Sequence, residues 1–126
     1  MPETTILLVE DDDMILAFAR SVLHLNGYRV ICAGNALEAL RIVAELGLGD
    51  VDLLLTDIDE PTLGGVALVR RLRQLKPELR VLCMTSRPSR VIIDLGSGCK
   101  VIEKPFAYSA LLASLDSCLP RARGAA

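Results

Sequence analysis

Four groups of reactive side chains interrupt this chain, each directly after a short aliphatic run. Glu10, Asp11 and Asp12 follow Ile6-Leu7-Leu8-Val9. Asp57, Asp59 and Glu60 follow a run that contains Leu53-Leu54-Leu55. Thr85 and Ser86 follow Val81-Leu82-Cys83-Met84, and Lys104 follows Val101-Ile102-Glu103. Clustered carboxylates are hard oxygen ligands for divalent cations, and a carboxylate can also serve as a nucleophile. A lysine and a hydroxyl beside them supply a positive charge and a donor for an anionic group. Taken singly, each group has an ordinary reading. An acidic run caps a helix, an Asp or Thr closes a turn, and a Lys before Pro faces solvent. What decides is whether the fold brings them together.

The pattern of the chain answers that. Ile6–Val9 reads as a buried strand, and apolar residues at 15, 18, 19, 22, 23 and 25 follow helical spacing until Asn26-Gly27. Tyr28 to Cys32 reads as a second strand, and Asn35 caps a helix that runs to about Leu46. Val51 to Thr56 is a third strand without polar alternation, as expected of a strand buried on both faces of a parallel sheet. A helix over about Leu63 to Lys76 follows, then strands at Arg80–Met84 and Lys100–Ile102, then a last helix over about Phe106 to Leu119. Between Ser86 and Lys100, Pro88, Gly96 and Gly98 leave room for only a short or mobile fourth helix.

The expected fold class is therefore α/β, a (βα)5 doubly wound five-stranded parallel sheet of flavodoxin-like order 2-1-3-4-5. In that order ligands sit outside the carboxyl ends of the strands, at the switch point between the first and third. The acids, Thr85 and Lys104 all converge on that edge. Carboxylates this close raise one another's pKa values, and Mg²⁺ relieves the repulsion while leaving room for phosphate oxygens.

Composition narrows the alternatives. The 126 residues carry 16 acids and 14 bases, 52% hydrophobic residues and 3% aromatics. The length fits one domain over 1–126, with a core of about 4–119 and a tail at 120–126. The near-neutral charge and scarce aromatics argue against a nucleic-acid binder, and no apolar run nears the ~18 residues of a membrane span. Met1 to Thr5 offers no signal-peptide pattern, so a cytoplasmic protein is expected. Cys32, Cys83, Cys99 and Cys118 form no CxxC pair and are expected to be small buried hydrophobes.

These motifs together resemble the receiver domains of two-component response regulators, most nearly those attached to hybrid histidine kinases. The matching segments are Ile6-Leu7-Leu8-Val9-Glu10-Asp11-Asp12, Asp57-x-x-x-Pro61-x-x-x-Gly65, Thr85-Ser86 and Lys104-Pro105-Phe106. The resemblance implies that Asp57 accepts a phosphoryl group from a phosphohistidine. It implies that Glu10, Asp11, Asp57 and the backbone carbonyl of Asp59 hold Mg²⁺ (or Mn²⁺). Lys104 and Thr85 would contact phosphoryl oxygens. The chain would thus be no conventional enzyme, yet would catalyse its own phosphoryl transfer and its autodephosphorylation. Phosphorylation would reshape the surface of the fourth helix, fifth strand and last helix. The implied partners are a histidine kinase or histidine phosphotransfer domain and a downstream protein or output domain. The apolar composition also permits a transient homodimer.

Three departures qualify the match. Val101 stands where the family usually has a switching aromatic, Glu60 stands where Met is frequent, and Thr85 and Lys104 are only 19 positions apart. A haloacid-dehalogenase phosphatase would need Thr or Val at Pro61, and an FMN binder would need a Ser/Thr/Gly-rich loop after the first strand. Gly96-Ser97-Gly98-Cys99-Lys100 lacks the spacing of a phosphate loop. The remaining rival is a docking module of the same fold that works without phosphorylation. His24, in the first helix, is expected at the helix surface and not in a phosphoryl relay.

Overall fold

Leu53, Leu54 and Leu55 are completely buried, although alternate residues of a strand point to opposite faces. A sheet with both faces covered is the only way to bury all three. In the computed structural model, which describes residues 3–59, 64–89, 91, 95 and 98–119, that sheet has five parallel strands in the order β2-β1-β3-β4-β5. The strands are β1 (Thr5–Val9), β2 (Arg29–Ala33), β3 (Leu53–Asp57), β4 (Arg80–Thr85) and β5 (Lys100–Glu103). The described helices are α1 (Asp13–Leu25), α2 (Ala36–Leu46), α3 (Gly65–Leu75) and α4 (Tyr108–Cys118).

The alternation along the strands feeds two cores. Leu7, Val9, Leu54, Val81 and Cys83 face Ala39 and Val43 of α2 and Leu68, Val69 and Leu72 of α3. Ile6, Leu8, Leu53, Leu55, Leu82 and Met84 face Ala19, Val22 and Leu23 of α1 and Leu111 and Leu115 of α4. Each buried Leu contributes roughly 1.5–3 kcal/mol, so β1, β3 and β4 anchor the molecule. The edge strands β2 and β5 are only partly covered.

Local chemistry sets the element ends. Asp12 caps α1, its Oδ1 accepting from the N–H groups of Met14 (2.9 Å) and Ile15 (3.1 Å). Asn35 caps α2, accepting from the Glu38 N–H at 2.8 Å. Gly27 turns the chain into β2 with φ +85°, a conformation most side chains avoid. The sequence placed β3 one to two residues early and began α3 and α4 about two residues early. Helix ends are the part of a pattern that periodicity fixes least. The expected short fourth helix, between β4 and β5, falls mainly on residues outside those described, as do Glu60, Pro61 and the 120–126 tail.

Candidate functional site

The strand ladder continues past the strand ends where the reactive residues stand. The Glu10 N–H donates to the Ala33 carbonyl (3.1 Å), the Ile58 N–H to Met84 (3.1 Å), and the Lys104 N–H to Thr85 (2.8 Å). With the β1–β3 pairing, these bonds fix all five strand ends side by side, so the side chains that leave them share one edge. Glu10, Asp57 and Thr85 are buried, and Asp11 is exposed at the rim.

Lys104 sits among the acids. Its Nζ lies 2.8 Å from Glu10 Oε1 and 3.0 Å from Asp57 Oδ1. Carboxylate oxygens of Glu10, Asp11 and Asp57 all lie within 4.8 Å of one another. Burial pushes the Glu10 carboxyl above its ordinary range, against the pull of Lys104 and the Asp12 N–H, and the Asp57 charge adds to the rise. Burial alone would lower the Lys104 pKa, but hydrogen bonds and charge from Glu10 and Asp57 outweigh it and raise it. The lysine is therefore a fixed cation.

That cation leaves the carboxylates incompletely balanced. Glu10 Oε1 is buried and, beyond its ion pair with Lys104, makes no aligned hydrogen bond. A buried carboxylate oxygen in that state, with two more carboxylates close by, suits a hard divalent cation that accepts oxygen ligands. The donor set fits Mg²⁺.

Asp59 is engaged through both its backbone N–H and its side chain. Its N–H donates to Asp57 Oδ1 (2.9 Å), which orients that carboxylate. Its side chain turns to β4, where Oδ1 accepts from the Thr85 hydroxyl (2.6 Å) and Oδ2 accepts from the Ser86 N–H (2.9 Å) and hydroxyl (3.0 Å). Burial would raise its pKa, but the Thr85 and Ser86 donors, with Lys104 nearby, bring it below the usual carboxylate value. The sequence offered one clue to this. Asp59 is two residues past the end of β3, and β4, its neighbour, ends in two hydroxyls.

Gly65 completes the site floor. A Cβ there would overlap the Asp57 carbonyl oxygen and lie 2.8 Å from Ile58 Cγ2. Only glycine lets α3 start this close to β3. Glu10, Asp11, Asn35, Thr56, Asp57 and Gly65 line a small crevice beside the acids. A larger groove, about 770 Å³, lies between α2 and α3 among Leu40, Val43, Leu48 and Leu75. It holds none of the converging acids. Val101 is half-buried against the core of α2 and α3, as a packing residue would be, and His24 is exposed on α1.

The sequence model of the response regulator receiver domain matches residues 6–116. The response regulator MprA of Mycobacterium leprae is 36% identical over 122 residues, covering 94% of this chain and 52% of MprA. The sensor kinase CckA of Brucella abortus is 31% identical over 120 residues, covering 93% of this chain and 13% of the kinase. The chain thus spans about half, or much less, of these curated relatives. The solved structure of the response regulator TrrA from Thermotoga maritima, in complex with Mg²⁺-BeF, superposes with a TM-score of 0.78 at 26% identity, covering 92% of this chain and 99% of that one. Among the described residues no helix is long and apolar enough to cross a membrane.

Proposed function

Because this chain belongs to the response regulator receiver domain family of two-component systems, we propose that it accepts a phosphoryl group on Asp57 and passes the signal to a protein partner. The observation that carries this reading is Lys104. Its ammonium bridges Glu10 and Asp57 within 3.0 Å, at the edge where Asp11 completes a three-carboxylate cluster. Glu10, Asp11, Asp57 and the Asp59 carbonyl are the residues that would hold Mg²⁺. Bound there, the ion would neutralise charge on the transferred group. Mn²⁺ meets the same oxygen-donor requirement.

The donor is a phosphohistidine of a histidine kinase or histidine phosphotransfer domain. An Asp57 oxygen attacks phosphorus, the phosphorus–nitrogen bond breaks, and its electron pair stays on the imidazole, which takes up a proton. Asp57 is prepared for this by the Asp59 N–H and by Lys104, which fix its carboxylate. Phosphoryl transfer asks mostly for positioning and charge stabilisation, and these groups supply both. Attack by water on the same phosphorus, opposite the Asp57 oxygen, resets the site.

The acyl phosphate adds roughly −1.5 to −2 of charge. Lys104 then exchanges Asp57 for a phosphoryl oxygen, and Thr85 exchanges Asp59 for another. Thr85 ends β4 and Lys104 follows β5, so their movement reshapes the face formed by β5, α4 and the segment between β4 and β5. That face binds the downstream protein or output domain. Val101 cannot act as an aromatic switch, so coupling runs through the Thr85 and Lys104 strand ends. Residues 1–126 act as one receiver unit, placed in the cytoplasm, where phosphohistidine donors are made.

The test is labelling with phosphoimidazole as a small phosphorus–nitrogen donor. Wild type should gain one phosphoryl group only with Mg²⁺ present, and Asp57→Ala should gain none. No gain in wild type would favour a docking module that works without phosphorylation. Undiminished labelling of Asp57→Ala would contradict the assignment of Asp57.

A further inference from the structure

Two cysteines and an arginine meet on the α3 side of the sheet, away from the acidic edge. Cys83 lies within β4 and is fully buried. It pairs in register with Val101 of β5, two residues beyond Cys99. Cys99, half-buried, stands just before β5 and packs against the same core as Cys83. Cys83 and Cys99 thus adjoin the same core, one from within β4 and the other from the residue before β5.

Arg73 of α3 fixes the third corner. Its Nη2 donates to the carbonyls of Gly98 (2.8 Å) and Leu79 (3.2 Å), and its Nε donates to Leu79 as well (3.3 Å). Its Nη1 points at Cys99 Sγ, 3.6 Å away. The carbonyls hold the guanidinium in place without cancelling its charge, so that charge acts on the sulfur. The hydrogen bond from Cys83 and the Arg73 charge bring the Cys99 thiol down to about 7, against the effect of burial. The same contact and its own burial push Cys83 strongly up. A partly exposed thiolate beside an arginine and a second thiol is the arrangement that reacts with peroxides. Arg20 lies near Cys32, and Lys100 and Arg80 lie near Cys118, but burial outweighs their charge and raises both thiols.

We propose that Cys99, in contact with the Arg73 guanidinium, is a peroxide-reactive thiol, and that Cys83 resolves its oxidised form as a Cys83–Cys99 disulfide. The Cys99 thiolate attacks hydrogen peroxide. A sulfur–oxygen bond forms, the oxygen–oxygen bond breaks, and hydroxide leaves. The Cys83 sulfur then attacks Cys99, the sulfur–sulfur bond forms, and the second hydroxide departs as water with the Cys83 proton. Two electrons pass from the thiols to peroxide. The product ties β4, which ends at Thr85, to the entry of β5, which Lys104 follows.

The test treats the reduced chain with hydrogen peroxide and maps its cysteines by mass spectrometry. Wild type should form the Cys83–Cys99 disulfide. In Cys83→Ser, or in Cys83→Ala should the serine variant fold poorly, dimedone should trap a sulfenic acid at Cys99. That labelling should run at least about tenfold faster than at Cys32 or Cys118, and Arg73→Gln should slow it by about tenfold. Equal labelling of all four cysteines, or an undiminished rate in Arg73→Gln, would overturn the activated-thiol assignment. A persistent sulfenic acid in wild type without the disulfide would overturn the role of Cys83.

Discussion

The Thr85 hydroxyl donates to Asp59 Oδ1 at 2.6 Å, so the hydroxyl at the end of β4 is engaged by a carboxylate two residues beyond Asp57. Binding a phosphoryl oxygen requires breaking that bond. Asp59→Ala should therefore favour the switched state. A net hydrogen bond of about 1 kcal/mol corresponds to a roughly five-fold gain in affinity for BeF₃⁻ with Mg²⁺, measured by titration. Equal or weaker binding would show that Asp59 does not restrain Thr85.

The same carboxylate carries a pH signature. The pKa of Asp59 is lowered on folding, so its contribution to stability is present above the unfolded value, about 4, and is lost as pH falls through the folded value. Asp59→Ala should melt below wild type at neutral pH, with the gap closing in acid. A gap that widens as pH falls would reverse the sign.

Lys104 is the one cation among three acids in the described site, so its removal should be repaired by another cation. Lys104→Ala should lose on the order of 2–4 kcal/mol without Mg²⁺, because buried negative charge is left uncompensated. Mg²⁺ should raise its melting temperature more than it raises that of wild type. For comparison, ten times the dissociation constant of any bound ion adds about 1.4 kcal/mol. An Mg²⁺ response in Lys104→Ala no larger than in wild type would contradict the shared-charge account. Once phosphorylated, Lys104→Ala should also bind partners more weakly than wild type does.

Gly65→Ala reverses the usual helix rule. Alanine ordinarily stabilises a helix relative to glycine by about 0.5–1 kcal/mol. Here the new Cβ meets the Asp57 carbonyl and Ile58, so a loss of about 1–3 kcal/mol is expected, together with slower labelling of Asp57. Thermal melting gives the first, and acyl-phosphate formation the second. An increase in stability would mean that α3 is not held this close to β3.

Cys99 should alkylate with a pH profile centred near 7, since Arg73 and Cys83 stabilise its thiolate. The rate with iodoacetamide should rise through that pH and level off above it. In Arg73→Gln the rise should move upward. A wild-type midpoint at the ordinary thiol value of about 8.5 would contradict the contact.

Much of this was legible in the sequence because it rests on period and punctuation. Leu53-Leu54-Leu55 announced a strand covered on both faces, Asn35 a cap, and the residues after Val9, Thr56, Met84 and Ile102 a shared edge once the strand order was assumed. Contacts that depend on neighbouring strands were not legible. The sequence puts the Asp59 carboxylate at the shared edge but does not show its reach across to Thr85 and Ser86. The pairing of Cys83 with Cys99 has no sequence spacing to betray it, because β4 and β5 bring the two together from 16 positions apart. The closeness of Gly65 to Asp57 likewise depends on where α3 begins. Local pattern records what each element is, and side-chain reach across elements is set only when they pack.

The central claim is that Asp57 carries the phosphoryl group, and borohydride mapping tests it most directly. Borohydride reduces an aspartyl phosphate to homoserine, which marks the acceptor position permanently. After incubation with acetyl phosphate and Mg²⁺, homoserine should appear at position 57 alone, and Asp57→Asn should yield none. Homoserine at Asp11 or Asp59, or none at any position, would contradict the account.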